Sequence, residues 1–349
     1  MQTVIVMLNG GVKELLNYLS AHVITCLVPA FFIAGAMAVL VTKGAVIKYF
    51  GVQAKRWVAY GVASVSGMLL AVCSCTVLPL FAGIYSLGAG LGPAVTFLYA
   101  GPAINILAIA LTGAALGWHM GVARGVGAIL FSIVIGIIMS ALFIKTEQER
   151  LGSMEVLPEE TSEKSGAFLV AFFGVMVAIL VVSTSKLAPG IKLAVDVGLL
   201  GVLAYMVRRY FIEGEFQSWM YETWSLVKLV VPTLLVGVFL VGMVTAVLPS
   251  RWISGFVGDN TLSANLVASV IGALFYFSTL TEVPIVKGLM DLGMNQGPAL
   301  ALLLAGPAVS IPNLLVIERI MGWKRTTAYF FLVVIMATLT GWLYGAFML

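Results

Sequence analysis

The chain has 349 residues, of which 61% are apolar and only 10% are charged, and its formal net charge is +4. Soluble globular domains carry about a quarter charged residues, so this composition excludes that class. It also excludes disordered chains and, with three cysteines, disulfide-stapled ones. Because a spanning helix needs about 20 apolar residues, the length accommodates about eight to ten spans. We predict an all-α polytopic protein of the cell inner membrane, in contact with the lipid bilayer and not with nucleic acid.

The hydropathy pattern predicts the helices in chain order. Residues 1–20 predict a short interfacial helix, because Lys13 and Glu14 interrupt the apolar run. Two Gly-rich stretches at 77–89 and 282–293 are too short to cross, so both are predicted to be re-entrant. The candidate spans lie at about 21–42, 57–75, 92–115, 119–143, 167–186, 189–207, 225–247, 262–278, 296–317 and 326–347.

One hydrophilic stretch divides the chain. Residues 145–165 are acidic and contain a proline, which is typical of a linker and equally of an ordinary solvated loop. We predict a first half, an acidic linker, two linking helices and a second half, at residues 1–145, 146–166, 167–210 and 220–349.

The Lys and Arg residues between the spans predict the orientation of the chain. If the two short stretches do not cross, the loops with Arg124 and Arg325 lie on the cytoplasmic side, and Lys145 and Arg150 lie on the opposite side. This count favours two halves in parallel orientation, although inverted pairs are common in secondary transporters. Both orientations therefore stay open at this point.

The strongest pattern is an internal repeat. Residues 76–106 align without a gap with residues 281–311, 205 positions later, and about 14 of 31 positions are identical. Prolines and glycines lie in register, for example Pro79 with Pro284. Internal duplication with matching broken segments is typical of secondary transporters, so we predict two repeated halves.

Each half contains two Gly-Pro pairs. Proline fits the first turn of a helix but not its interior, and glycine lets the backbone leave helical geometry. We therefore predict that each pair begins a short helix. Non-helical backbone at membrane depth is tolerated inside protein or beside a water-filled cavity, so a substrate site is predicted where the breaks meet. Kinks that only serve packing are the alternative. The candidate site residues at the breaks are Gly101, Pro102, Asn105, Gly306, Pro307, Ser310 and Asn313.

The run Cys73-Ser74-Cys75-Thr76, directly before Pro79, is a second candidate site. Thiolates prefer soft ions such as Cu(I), zinc or trivalent metalloids. A redox pair that exchanges with a thioredoxin-like partner fits the same residues, as do two inert buried side chains. The corresponding segment of the second half carries Thr279 and Thr281 and no thiol.

Ionisable residues at membrane depth are expensive and indicate function. Glu282 is the candidate for substrate binding and proton coupling, and Lys287 and Asp196 are further coupling candidates. Structural alternatives are a Glu282–Lys287 pair and neutralisation of Asp196 by Lys192. Motifs of nucleotide-binding, metalloprotease and hydrolase sites do not occur, so we predict no enzymatic activity, no cofactor and no metal site.

The segment from Cys73 to Asn105, CSCTVLPLFAGIYSLGAGLGPAVTFLYAGPAIN, resembles the ArsP-type family of predicted permeases. The second Gly-Pro-Ala block with Pro312 and Asn313 is similar to the second half of that family, so the resemblance covers most of the chain. It implies a permease, and characterised members of the family export trivalent organoarsenicals.

Three functions are consistent with these features. The first is a secondary exporter of trivalent organoarsenicals or related soft species, which works by alternating access. The second is a transporter of another small solute, such as a sulfur-containing anion drawn to helix N-termini. The third is a membrane thiol-redox protein that uses Cys73 and Cys75. The expected partner is a small-molecule substrate, or a thioredoxin-like protein for the third function, and a homo-oligomer is left open.

Overall fold

A computed structural model describes the chain over ten ranges, and all regular structure in them is helical. The ranges are 2–19, 28–40, 54–69, 74–104, 106–153, 166–184, 189–212, 214–245, 256–275 and 282–347. The helices are α1 Gln2–Tyr18, α2 Val28–Leu40, α3 Arg56–Leu69, α4 Ser74–Ser86, α5 Leu91–Ala103, α6 Ile106–Leu116, α7 Trp118–Leu142, α8 Ile144–Ser153, α9 Gly166–Thr184, α10 Pro189–Tyr210, α11 Glu215–Thr245, α12 Leu262–Leu274, α13 Glu282–Asp291, α14 Gln296–Ala305, α15 Ile311–Met321 and α16 Trp323–Phe347.

Two of the described helices, α7 and α16, are long and apolar enough to cross a membrane, with 25 residues each. The pair α5 and α6, bent by 45° at its break, makes a third candidate if it is one span. The all-helical prediction is confirmed, and these helices fit a multi-pass membrane protein. The number of ten spans stays a prediction.

The Gly-Pro pairs only partly follow their predicted placement. Gly92-Pro93 and Gly297-Pro298 lie in the first turns of α5 and α14, as predicted. Gly101-Pro102, however, lies in the last turn of α5, and Gly306 caps the end of α14. The second pair therefore ends a helix, because proline lacks the N–H that would bond the preceding turn.

The predicted acidic linker at 146–166 also begins differently, since α8 continues to Ser153. The first turn of α8 carries Glu147 and its last turn carries Arg150. An acidic residue near the start and a basic residue near the end of a helix both stabilise it, because they complement the helix dipole. Residues 154–165 lie outside the described ranges.

Helix positions in the two parts of the chain correspond closely. Helices α5, α6 and α7 begin at Leu91, Ile106 and Trp118, and α14, α15 and α16 each begin 205 positions later. Gly88 and Gly293, also 205 positions apart, have φ values of 99° and 103°, which residues with a Cβ rarely adopt.

The helices around these elements pack in two similar groups. Helix α5 packs against α3 and α7, and α14 packs against α12 and α16. The short helices α4 and α13 each pack against a helix from the other part of the chain: α4 packs against α15, and α13 packs against α6. Close backbone approach depends on glycine, since a Cβ at Gly92 would lie 3.0 Å from the Gly136 carbonyl oxygen, and one at Gly297 would lie 2.7 Å from that of Gly341.

Helices α7 and α16 run antiparallel. Arg325, in the first turn of α16, lies 3.5 Å from Glu147, just after the end of α7. A Cβ at Gly127, in the first half of α7, would lie 3.5 Å from Thr340 Cγ2, in the last third of α16. Arg150, which is paired with Glu147, therefore lies at the same end of the bundle as Arg325. The predicted orientation put these two arginines on opposite sides, because five spans, an odd number of crossings, were predicted between them, and this contact shows that it is wrong.

The antiparallel arrangement predicts a labelling pattern for single cysteines in a cysteine-free background. His119→Cys and Ala346→Cys should react with a membrane-impermeant maleimide from one side of sealed vesicles. Lys145→Cys and Lys324→Cys should react from the other side, because they lie at the opposite end of the two helices. Labelling of His119→Cys and Lys324→Cys from the same side would contradict the arrangement.

Candidate transport site at a helix break

The chain leaves helical geometry between α14 and α15, in a fully buried part of the bundle. Residues 306–308 form a turn, and α15 begins at Ile311 with Pro312 in its first turn. Ser310 is the N-cap, and its hydroxyl oxygen lies 3.5 Å from the backbone nitrogen of Asn313. Proline suits this position because the first backbone N–H groups of a helix have no intrahelical partner.

Two buried tyrosines provide hydrogen bonds to the backbone at this break. The hydroxyl of Tyr99, on α5, donates to the Leu304 carbonyl oxygen at 3.2 Å. The hydroxyl of Tyr329, on α16, donates to the Ala308 carbonyl oxygen at 3.2 Å. Backbone carbonyls at membrane depth need such partners, so both tyrosines stabilise the broken conformation.

A fully buried ion pair lies beside the break. Arg124 on α7 donates through Nη2 to Glu282 Oε2 at 3.0 Å, and both side chains are at most 1% exposed. Nη1 of Arg124 donates to the Thr112 hydroxyl on α6 at 3.0 Å, and that hydroxyl donates to the Ala108 carbonyl oxygen at 2.6 Å. The pair joins α7 and α6 to the first residue of α13.

Glycine makes the approach of Glu282 to the break possible. A Cβ at Gly306 would lie only 2.9 Å from Glu282 Oε1, closer than real Cβ contacts. A larger residue at this position would therefore push the carboxylate away from the turn. This contact connects one predicted site residue of the second Gly-Pro-Ala block with the predicted coupling residue.

Three buried polar atoms around the break lack a hydrogen-bond partner among the described residues. They are Arg124 Nε, Glu282 Oε1 and Asn313 Oδ1. A buried polar group without a partner is costly, so these atoms mark the most polar part of the buried region around the break.

Sequence reasoning missed Arg124 as a site residue and counted it among the loop charges, although the span predicted at 119–143 contains it. Arg124 lies inside α7 and is fully buried. The signal was present, because an arginine within an apolar run of 25 residues is rare at membrane depth and indicates function. Tyr99, Thr112 and Tyr329 carried no comparable signal.

The other predicted ionisable residues lie elsewhere. Lys287 is exposed, and the partner of Glu282 is Arg124 instead. Asp196, on α10, is half-buried and accepts a hydrogen bond from the Ser183 hydroxyl at 3.2 Å. The structure does not bring either residue into the ion pair described above.

The other predicted site residues fall into three groups: those that the structure describes fully, those described by their backbone alone, and those outside the described residues. Those buried near the short helices and the break are Thr76, Pro79, Gly101, Pro102, Gly306, Pro307, Ser310 and Asn313. Ser74 and Cys75 form the start of α4, but the positions of their side chains are outside the described part. Cys73, Asn105, Thr279 and Thr281 lie outside the described residues altogether.

A second polar cluster lies at the end of the bundle where α7 ends and α16 begins. Arg325 donates to the Tyr85 hydroxyl, which in turn donates to Glu147 Oε2 at 3.3 Å. Arg150 Nη2 lies 2.6 Å from Glu147 Oε1 and donates to the Ala89 carbonyl oxygen at 2.7 Å. This network joins α4, α8 and α16.

The Arg124–Glu282 pair predicts a stability pattern. Arg124→Gln or Glu282→Gln should each lower the free energy of unfolding by about 3–5 kcal/mol, because one buried charge loses its partner. The double variant should recover most of this loss, since no unpaired charge remains. Lys287→Gln, on the exposed face of α13, is the control and should be neutral. Thermal unfolding of purified protein in detergent measures these effects, and additive losses in the double variant would contradict the pairing.

Comparisons with known proteins identify the family of this chain. The chain matches the ArsP_1 family, described as a predicted permease, over residues 9–346. It is 42% identical to UPF0718 protein MJ0584 of Methanocaldococcus jannaschii, over 97% of this chain and 96% of that protein. It is 25% identical to UPF0718 protein YraQ of Escherichia coli K12, over 73% of this chain and 58% of that protein. No solved structure matches. The chain therefore belongs to the ArsP_1 family of predicted permeases.

Proposed function

We propose that this permease is a secondary transporter that exports a small soft species, such as a trivalent organoarsenical, by alternating access. The observation that carries the proposal is the buried Arg124–Glu282 pair beside the α14–α15 break. Ionisable pairs of this kind at membrane depth are typical of ion and substrate pathways.

The proposal includes two repeated halves of inverted orientation. It is supported by the common spacing of α5–α7 and α14–α16, by the crossed packing of α4 and α13, and by the antiparallel course of α7 and α16. In transporters built this way, substrate sites lie between the halves where helices are discontinuous. Helices α4 and α13, with 13 and 10 residues, are then the re-entrant segments.

Proton coupling through Glu282 fits the geometry. Protonation of Glu282 removes the counter-charge of Arg124, which is fully buried. When Glu282 is charged, its attraction to Arg124 holds the start of α13 against α7. When Glu282 is protonated, this attraction is absent, so the two protonation states favour different arrangements of α13. A transporter needs such a pair of states that both the coupling ion and the substrate influence.

The two charged clusters have complementary roles in this mechanism. We propose that the Arg325–Glu147–Arg150 network, which joins α8 to α16, holds these two helices together at the end of the bundle where α16 begins. The Arg124–Glu282 pair lies deeper, beside the helix break. We propose that the pathway opens towards the opposite end in this conformation.

The soft-species part of the proposal depends on Cys73 and Cys75. Cys75 belongs to the first turn of α4, and α4 packs against α15, the helix that follows the break. A trivalent arsenic centre with one organic group has two positions open for thiolates, which suits a pair of cysteines.

The coupling hypothesis predicts that Glu282→Gln abolishes transport driven by a pH gradient. The Arg124→Gln/Glu282→Gln variant should be equally inactive although its stability is restored, which separates loss of coupling from loss of folding. Lys287→Gln is the matched control and should transport normally. Accumulation of substrate in everted vesicles with an imposed gradient measures this, and full activity of a stable double variant would remove Glu282 from the mechanism.

The substrate hypothesis predicts energy-dependent uptake of a trivalent methylarsenical into everted vesicles, detected by mass spectrometry of arsenic. The Cys73→Ser/Cys75→Ser variant should lose it, because serine hydroxyls do not replace thiolates for a soft centre. Uptake that persists in this variant would assign the cysteines to packing. No uptake by folded native protein would overturn the arsenical substrate and favour sulfur-containing anions or thiol exchange.

A further inference from the structure

A large apolar groove lies away from the transport site, between α2, α9, α10 and α11. Its volume is about 640 Å³, within the range of about 300–1,000 Å³ that is typical of ligand pockets. Apolar side chains from all four helices line it, including Phe32, Met176, Leu203 and Trp219. The Trp219 ring is held in place because its Nε1 donates to the Phe32 carbonyl oxygen at 2.8 Å.

A single charged side chain, that of Arg208, is among the described residues that line this groove. Arg208 lies near the end of α10, and Phe216, Trp219 and Met220 line the same groove from the first turns of α11. The positive charge is therefore at one end of an otherwise apolar groove.

Exposed aromatic residues mark the level of this charged end. Tyr205 and Tyr210 near the end of α10, and Phe216, Tyr221 and Trp224 in the first half of α11, are 49–71% exposed. Exposed tyrosine and tryptophan residues are enriched where a membrane protein meets the lipid headgroups. Arg208 thus lies at headgroup level together with the lining residues of α11, and the lining extends from there along α10, through Leu203 and Leu200, towards the acyl chains.

We propose that this groove binds an anionic phospholipid, with its phosphate at Arg208 and one acyl chain along the apolar lining. Basic pockets between membrane helices bind anionic headgroups in this way. A zwitterionic lipid with the same chains would fill the groove but gain less from Arg208. This site is separate from the Arg124–Glu282 site, and its test does not depend on transport.

Native mass spectrometry of the purified full chain tests the proposal, with phosphatidylglycerol and phosphatidylcholine of identical acyl chains as the two probes. We expect phosphatidylglycerol to bind about five-fold more tightly, which corresponds to about 1 kcal/mol for one cationic contact. Arg208→Gln should remove this preference. Arg209→Gln is the matched control, because Arg209 carries the same charge one position later, lies 5.8 Å over the Tyr210 ring and does not line the groove.

A second pair of variants tests the groove itself. Ala204→Phe places a ring in the lining and should weaken binding of both lipids, whereas Val202→Phe, outside the lining, should leave it unchanged. Equal binding of the two lipids by native protein, or an equal loss in Arg208→Gln and Arg209→Gln, would overturn the role of Arg208. Unchanged lipid binding by a folded Ala204→Phe variant would overturn the groove as the site.

Discussion

A buried arginine must have a counter-charge, and in this protein the Arg124–Glu282 pair meets that requirement. The pair determines how several elements are arranged. Helix α13 has to begin at the depth of Arg124, so that Glu282 in its first turn can reach the guanidinium. The turn after α14 must then pass close to the carboxylate, and Gly306 provides the space that a side chain would fill. Tyr99 and Tyr329 hydrogen-bond the carbonyls on either side of that turn.

The charges do not follow the spacing that the helices share. The position that corresponds to Arg124 in the second part of the chain holds Tyr329, and the position that corresponds to Arg325 in the first part holds Met120. Helices of equal length, α7 and α16, therefore carry different side chains at corresponding positions.

Much of the architecture was predictable from the sequence because it depends on local or periodic properties. An apolar content of 61%, in runs of about 20 residues, predicts membrane helices, and a Gly-Pro pair suits the first turn of a helix. The starts of α5 and α14 at the first Gly-Pro pairs were predicted for that reason. That Glu282 has a partner was also predictable, since a carboxylate within an apolar segment is costly unless it has a partner or a function.

The partner of Glu282 was not predictable, because it comes from a residue 158 positions away. Lys287, five residues later, is exposed, whereas Arg124 is brought to Glu282 because α6 packs against both α7 and α13. The relative direction of α7 and α16 is decided in the same way, by the Arg325–Glu147 contact and the approach of Gly127 to Thr340, and not by the charges of the loops.

The sequence by itself determined the helical membrane class, the helix breaks and the candidate carboxylate, since these follow from composition and backbone chemistry. Only the tertiary structure decided which charges meet, because a pair at this separation depends on how distant helices pack.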